Sequence, residues 1–325
     1  MSRPVALDAM GGDRAPRETV AGALLAASVG VPVVLVGDEA VLRAELASQG
    51  GDLPIVHAPE VIDMHAHATE VRRRRQASIN VAMRLVSDGE AEAAVSMGHS
   101  GATMAAALFT LGRVRSIERP AILAEIPSEA ASGRVHLIDA GANADVRPQH
   151  LVQFARMGAA YAERMSAVTR PRVGLLSIGE EPTKGNQLVL EAYPLLAAAG
   201  LEFVGNVEGR DVLADTADVI VTDGFTGNVV LKLAEGEARI LFGWIKEALT
   251  SSLKARLGAL LVKDALKGLA ARMDPAEYGA MPLLGVRGPA FIGHGASDRR
   301  AVQNALLRAH KMANSGLMDA LAALE

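Results

Sequence analysis

The residues best equipped for chemistry lie in five short loops. Asp8-Ala9-Met10-Gly11-Gly12-Asp13 follows the first apolar run, and Gly98-His99-Ser100-Gly101-Ala102 follows a second. Gly179-Glu180-Glu181-Pro182-Thr183-Lys184-Gly185-Asn186, Asp223-Gly224-Phe225-Thr226-Gly227-Asn228 and Gly293-His294-Gly295-Ala296-Ser297-Asp298 each follow another. All five are rich in small and polar residues and lead into helical patterns. Backbone N–H groups of such loops, backed by a helix N-terminus, form nests for anions. Lys184 adds the point positive charge that a phosphate site often has. A second chemistry competes. Gly98-His99-Ser100-Gly101-Ala102 nearly matches the G-x-S-x-G elbow that presents a nucleophilic serine. Ser100, Asp223 and His294 even fill the order of a hydrolase triad. Against that reading, no HGGG-type oxyanion segment precedes Ser100, and the loops around Gly11, Lys184 and Asn228 are left without a role.

Short apolar runs position these loops. Residues 5–7, 31–38, 55–56, 93–96, 121–126, 135–138, 172–177, 201–204 and 218–222 read as strands. Helical patterns open near Pro16 and cover 71–88, 101–111, 148–164, 186–199 and 298–314. This βα alternation predicts an α/β fold with a mostly parallel, doubly wound sheet. Ligands in such sheets lie beyond the carboxyl ends of the strands, so the five loops are expected along one edge. Residues 1–325 read as a single unit with a lobe boundary, if any, within 110–150. Residues 235–272 break the rhythm with a helical hairpin. Ile240, Leu241, Trp244, Ile245, Ala248 and Leu249 form one apolar stripe; Leu253, Leu257, Leu260, Leu261 and Leu269 form another, beside Lys254, Arg256, Lys263, Lys267 and Arg272. Such stripes pack on a core or a second subunit, or dock a basic amphipathic element on anionic lipid.

Composition narrows the classes. Half of the 325 residues are hydrophobic and 3% aromatic, so the core is built from aliphatic side chains. The net charge of −4 argues against a general nucleic-acid binder. The chain has no cysteine, which excludes disulfides, thiolate metal sites and an acyl-cysteine intermediate and fits a cytoplasmic protein. The first residues show no signal-peptide pattern, and no stretch approaches the roughly 20 apolar residues of a membrane span. Three features invite sharper readings than they carry alone. His65 and His67 near Asp63 and Glu70 read as a solvated loop rather than a metal site. Arg72, Arg73, Arg74 and Arg75 read as a solvated helix start or as a docking patch for an acidic partner or an anionic group. Asp139-Ala140-Gly141-Ala142-Asn143 reads as a turn, with Asn143 a candidate for the cleft.

Longer motifs carry a resemblance. VALDAMGGDRAPRETVAGA (5–23), RSIERPA (115–121), DAGANADVRPQHLVQFARMG (139–158), PRVGLLSIGEEPTKGN (171–186), VTDGFTGNVVLK (221–232) and HGASDRRAV (294–302) span the chain in order. Together they resemble the bacterial phosphate acyltransferases of fatty acid and phospholipid synthesis. The resemblance implies a three-layer α/β/α fold similar to the phosphotransacetylases and the isocitrate dehydrogenase-like proteins. It implies transfer of a fatty acyl group from acyl carrier protein to inorganic phosphate, without metal or organic cofactor, by a homodimer. The acyl phosphate then serves a membrane glycerol-3-phosphate acyltransferase in phosphatidic acid synthesis. Phosphate is itself a nucleophile, so the site must hold an anion in line with the carbonyl and stabilise an oxyanion. Lys184, Asn228 and Asp223 are the expected catalytic residues. Asp8, Gly11, Gly12, Gly98, Ser100, Gly101, Asn143, Thr183, Gly185, Asn186, Gly224, Thr226, Gly227 and His294 are the expected substrate contacts. Because carrier protein is acidic, Arg72, Arg73, Arg74 and Arg75, with Arg113, Arg115 and Arg119, become docking residues. Leu253, Leu257, Leu260 and Leu261 become a peripheral membrane contact. The alternatives are a coenzyme A-dependent short-chain phosphotransacetylase, a thioesterase using Ser100, and a carrier-binding scaffold without turnover. One loop departs from the family, which usually reads S-A-G-N-T-G-A where this chain has Ser96-Met97-Gly98-His99-Ser100-Gly101-Ala102.

Overall fold

Runs of Val, Ala, Leu and Ile buried on both faces build the sheet. β1 (Val5–Asp8), β2 (Val33–Gly37) and β4 (Ala93–Ser96) are buried along their whole length, as strands covered by helices on both sides should be. A computed structural model describes residues 3–324 apart from residue 65, and of residues 271 and 275 the backbone alone. β3 (Ile55–His57), β5 (Ala121–Pro127), β6 (Arg134–Ile138), β7 (Arg172–Leu176), β8 (Glu202–Val207), β9 (Val219–Val221), β10 (Ala280–Leu284) and β11 (Ala290–Gly293) complete one sheet. Its strand order is β3-β2-β1-β4-β11-β10-β5-β6-β9-β7-β8. One face is covered by α1 (Arg17–Ser28), α2 (Glu39–Gln49), α5 (Pro148–Ser166), α6 (Gln187–Ala197), α10 (Arg299–Ala313) and α11 (Leu317–Ala322). The other is covered by α3 (Ser78–Ser87), α4 (Ser100–Thr110) and the start of α7 (Gly224–Thr250).

All nine expected strands form, and the mostly parallel three-layer architecture is the one expected. β10 and β11 were not among them. They are short, and Pro282 sits inside β10. α2 also escapes the periodicity because it buries only Leu42 and Leu46. Its ends are nevertheless marked by the Asp38 carboxylate, which accepts from Val41 N–H, and by left-handed Gly50.

The pairing directions matter most for function. β5 runs antiparallel to β10 and to β6, with Leu284 opposite Ala121 and Leu123 opposite Ile138. β10 is in turn antiparallel to β11. β1, β2, β3, β4 and β11 therefore end at one edge, the near edge, while β6, β7, β8 and β9 end at the opposite, far edge. α4 starts at the near edge after β4 and finishes at the far one, where Val114 N–H donates to Gly285 O and Arg287 Nε to Leu111 O.

The helical excursion is longer than expected. α7 begins at Gly224, so residues 224–228 are its first turns rather than a loop, and it runs for 27 residues. Only Gly224, Gly227 and Leu231 of it are buried; α8 (Leu253–Leu261) buries nothing, and α9 (Lys263–Met273) follows. The apolar stripes do not pack on the chain's own core: Trp244 is 66% and Leu261 89% exposed.

Candidate active site

At the near edge, two glycine turns lean on one buried carboxylate. Asp8 ends β1 and accepts from Ser96 Oγ at 2.7 Å, while Gly98 N–H donates to the same hydroxyl at 3.0 Å. A Cβ on Gly11 would lie 2.5 Å from Asp8 Oδ2 and 3.0 Å from Gly98 N, so only glycine lets the turns approach this closely. Burial pushes the Asp8 carboxyl above its usual range, against the hydrogen bonds from Ser78 and Ser96. Asp8 and Gly98 are both buried at this turn. Gly12 packs against Met97, and Asp13 N–H donates to Gly295 O at 2.8 Å, joining the His294 loop to this edge. His99 caps α4: its Nδ1 accepts from Ala102 N–H at 3.0 Å. A side-chain amide oxygen makes the same bond at other N-caps, so the departure at position 99 keeps the cap. Ser100 is exposed in the first turn of α4, followed by half-buried Gly101.

At the far edge, most of the expected residues hold the loops, while the side chains of Thr183, Lys184 and Asn228 do not. Asp139, after β6, accepts from Ile122, Gly141 and Ala142 N–H at Oδ1 and from Asn143 N–H and Nδ2 at Oδ2. Burial works against its charge, but every partner donates and none can take its proton. We treat it as an ionised anchor. Asn143 Nδ2 also donates to Pro120 O, and Asn143 O accepts from Gly224 N–H at 2.7 Å. Both amide hydrogens of Asn143 are committed, so it positions the start of α7. Asp223 is the N-cap of α7, accepting from Thr226 N–H and Oγ1 at 2.8 Å each. A Cβ on Gly227 would meet Asp139 O at 1.9 Å. Asn186 caps α6 by accepting from Val189 N–H. Lys184 is pinned by its backbone, which donates to Glu181 O and accepts from Ser177 Oγ at 3.3 Å and Asn206 Nδ2 at 3.5 Å. Its side chain is exposed and makes no ion pair among the described residues, beside exposed Thr183 and half-buried Gly185. Asn228 is exposed one turn into α7, where a Cβ on Gly141 would lie 3.7 Å from its side chain.

The two clusters are separate. β4 and β9 are five strand spacings apart in the sheet, about 24 Å at ~4.8 Å per spacing, and their carboxyl ends point opposite ways. One phosphate ion cannot touch both, so the expectation of five loops on one edge is corrected. The same separation removes the triad: Asp223 caps α7 at the far edge, whereas Ser100 and His294 lie at the near one. Of the four clustered arginines, Arg74 pairs with Glu70 and donates to Val61 O. Arg72 lies over the Phe109 ring, and Arg72 and Arg75 line a cavity with Arg84. Sequence reasoning missed Ser177 and Asn206, which hold the Lys184 loop, and Arg84 and Phe109. A buried-facing polar residue in the β8 pattern was the signal for Asn206; a lone arginine on a helix gives none. The His65 and His67 pair includes a residue outside those described. Among the described residues, no cluster of metal-ligating side chains forms.

Comparison with known proteins decides the family. A family model described as fatty acid synthesis protein matches residues 4–320. The phosphate acyltransferase of Thermus thermophilus is 67% identical over 315 residues, covering 97% of this chain and 96% of that one. The chain belongs to the phosphate acyltransferases. The Deinococcus radiodurans phosphate acyltransferase is 59% identical over 280 residues, 84% of this chain and 77% of that one. Among solved structures, a phosphotransacetylase from Streptococcus pyogenes superimposes with a TM-score of 0.63 at 18% identity, covering 96% of this chain and 94% of that chain. The EutD phosphotransacetylase from Staphylococcus aureus does so with 0.59 at 17%, with the same coverage. These likenesses show the fold. A phosphate acyltransferase transfers an acyl group to phosphate.

Proposed function

We propose that the far edge carries acyl transfer from acyl carrier protein to inorganic phosphate, with Lys184 and Asn228 at the reacting atoms. The observation that carries this is the division of labour just described. Asp139, Asn143, Asp223 and Thr226 spend polar groups on the loops, as does Asn186 through Oδ1, leaving the Lys184 ammonium and the Asn228 amide, with the Thr183 hydroxyl and Asn186 Nδ2, exposed beside two helix N-termini. Lys184 holds phosphate beside the positive ends of α6 and α7. A phosphate oxygen attacks the thioester carbonyl, and Asn228 Nδ2 donates to the oxyanion that develops. The C–S bond breaks, the carrier leaves as thiolate and takes a proton from water, and acyl phosphate remains. Asp223 orients the first turn of α7 and does not itself touch the reactants. At the near edge, Gly12, Ser100, Gly101 and His294 have no part in this step.

The rest of the reading follows the substrate. Carrier protein is acidic, which fits arginines on the donor side. The product has a long apolar chain and is consumed by a membrane glycerol-3-phosphate acyltransferase on the way to phosphatidic acid. Exposed Leu253, Leu257, Leu260 and Leu261, next to Lys254 and Arg256, suit a peripheral membrane contact for delivery. The Ile240, Leu241 and Trp244 stripe suits the face of a homodimer. No helix among the described residues is long and apolar enough to cross a membrane; the working place proposed here is the cytoplasm and the membrane surface. The deciding experiment incubates the protein with long-chain acyl carrier protein, with and without phosphate. Acyl phosphate formed only with phosphate supports the proposal. Free fatty acid formed without phosphate, and lost in Ser100→Ala, would replace it with a thioesterase. Turnover of short acyl-coenzyme A in place of the carrier substrate would move the donor to coenzyme A.

A further inference from the structure

Three arginines that the reacting centre does not use converge on one cavity. Arg72, Arg75, Arg84, Asn80, Phe109 and Thr110 line a space of about 630 Å³. The local structure is built to hold them there. Buried Asn80, on α3, donates through Nδ2 to Val71 O at 2.9 Å and Arg74 O at 2.8 Å, clamping the 3-10 turn Ala68–Arg72. Arg84 Nη2 donates to Arg75 O at 2.7 Å. The Arg72 guanidinium sits 4.2 Å from the centroid of the Phe109 ring, a contact that favours one rotamer of a long cation. Among the described residues none of the three makes an ion pair, although most other arginines near a carboxylate do. Three like charges around one small space repel one another unless an anion joins them. Guanidinium forks match the paired oxygens of a phosphate group.

We propose that this cavity binds the phosphodiester of the carrier's phosphopantetheine arm, so that the enzyme reads the arm at its phosphate end as well as at its thioester. The inference rests on the carrier as acyl donor. The geometry fits the reach of the arm. Phe109 and Thr110 close α4 at the far edge, the edge of Lys184 and Asn228. α4 packs on β11, and Asn228 faces Gly141 just after β6. β11 and β6 are three spacings apart, about 14 Å from the α4 wall of the cavity; the arginines stand on the other wall, on the 3-10 turn and on α3, which packs on β1 and β4. The arm runs roughly thirteen covalent bonds from phosphorus to sulfur, about 15 Å when extended like a peptide backbone. An anion held at the Phe109 end of the cavity, under Arg72, is the one whose arm spans the distance to Asn228.

The test compares three donors that share one acyl chain: acyl carrier protein, acyl phosphopantetheine and acyl pantetheine, which lacks the phosphate. The wild-type protein should use acyl phosphopantetheine better than acyl pantetheine by about tenfold or more in kcat/KM. Arg72→Ala and Arg75→Ala should each shrink that ratio several-fold, and Phe109→Leu should shrink it less, with Tm measured for each to exclude misfolding. A wild-type ratio near one overturns the proposal. So does a loss confined to the carrier protein, which would mean that the arginines read its acidic surface. A rise in KM for inorganic phosphate with every donor would instead make the cavity a free-phosphate site. If no donor yields acyl phosphate, acyl transfer from the carrier fails as the function. Calorimetric binding of phosphopantetheine, present in the wild type and lost in the Arg72→Ala/Arg75→Ala double variant, then still decides the cavity.

Discussion

At the scale of residues, the far edge separates groups that hold the loops from groups left exposed, and substitution should separate them too. Lys184→Ala and Asn228→Ala remove exposed polar groups that make none of the loop-holding bonds. Each is expected to lower kcat for acyl phosphate formation on the order of a hundredfold, with Tm unchanged. Equal losses of activity and Tm would return both residues to the scaffold. Asp223→Ala should behave the other way. It removes two bonds at the start of α7, and loss of such a cap costs about 1 kcal/mol. Denaturant unfolding would show this directly, with activity falling only as far as the first turn of α7 loosens. The near edge permits a milder test. His99 caps α4 through Nδ1, and an asparagine oxygen reaches the same N–H. His99→Asn should therefore hold stability within about 0.5 kcal/mol, whereas His99→Ala should lose about 1 kcal/mol. If both variants are equally destabilised, the imidazole does more than cap. Gly227→Ala is the severe case, because the new methyl would meet a backbone carbonyl at 1.9 Å. A loss of about 3 kcal/mol is expected, and an unfolding midpoint like that of the wild type would show that the close approach is not real.

At the scale of elements, the long helical excursion and the β5–β6 turn carry the lessons. The leucines of α8 are exposed, and the element is basic. Leu257→Glu with Leu260→Glu should sharply reduce co-sedimentation with anionic vesicles while turnover of soluble donors persists. Unchanged sedimentation would leave the leucines to a protein partner. The excursion was legible in the sequence because it interrupts a βα rhythm, but its start was not. Gly224, Phe225 and Gly227 read as a loop, but the bonds from Thr226 N–H to the Asp223 carboxylate and from Gly227 N–H to Asp223 O make them helix. The reversal of the sheet had a signal that went unread. Only eight residues separate Ile126 from Val135, fewer than the dozen or so that a parallel crossover needs. The two runs had to form a hairpin, and a hairpin there turns the following strands over. That single connection sends the loops of Lys184 and Asn228 to one edge and those of Gly11 and Ser100 to the other. The loop residues themselves were legible because Gly, Asn and Asp at strand ends have few other uses. Their division into scaffold and reacting groups was not, because it depends on which N–H each side chain meets across the sheet.

At the scale of the whole molecule, the two directions of the sheet must be held together at its middle, and a buried ionic cluster does this. Glu125 on β5 accepts from Tyr161 Oη on α5 at 2.9 Å, from Arg134 on β6 at 2.5 Å and from Arg308 on α10. Arg308 Nη2 also donates to Tyr161 Oη at 2.8 Å. α10 packs on β4, whose strand direction belongs to the near edge, and α5 packs on β6 and β9, which belong to the far one. Burial alone would raise the Glu125 carboxyl, but Arg308, with His136 and Arg134, holds it at about 2, below its ordinary 4.5. A carboxyl depressed on folding adds stability that is complete above about pH 4.5 and is lost as pH falls towards 2. Urea midpoints measured from about pH 5.5 down to about 2.5 should therefore fall more steeply in the wild type than in Glu125→Gln, and the two curves should converge at the acid end. Glu125→Gln leaves Arg308 buried without its counter-charge, which costs about 3–5 kcal/mol. The Glu125→Gln/Arg308→Met pair serves as the second comparison if the single variant does not fold. Parallel curves for the wild type and either variant would mean that other carboxylates govern acid unfolding and that the cluster does not hold the two halves of the sheet together.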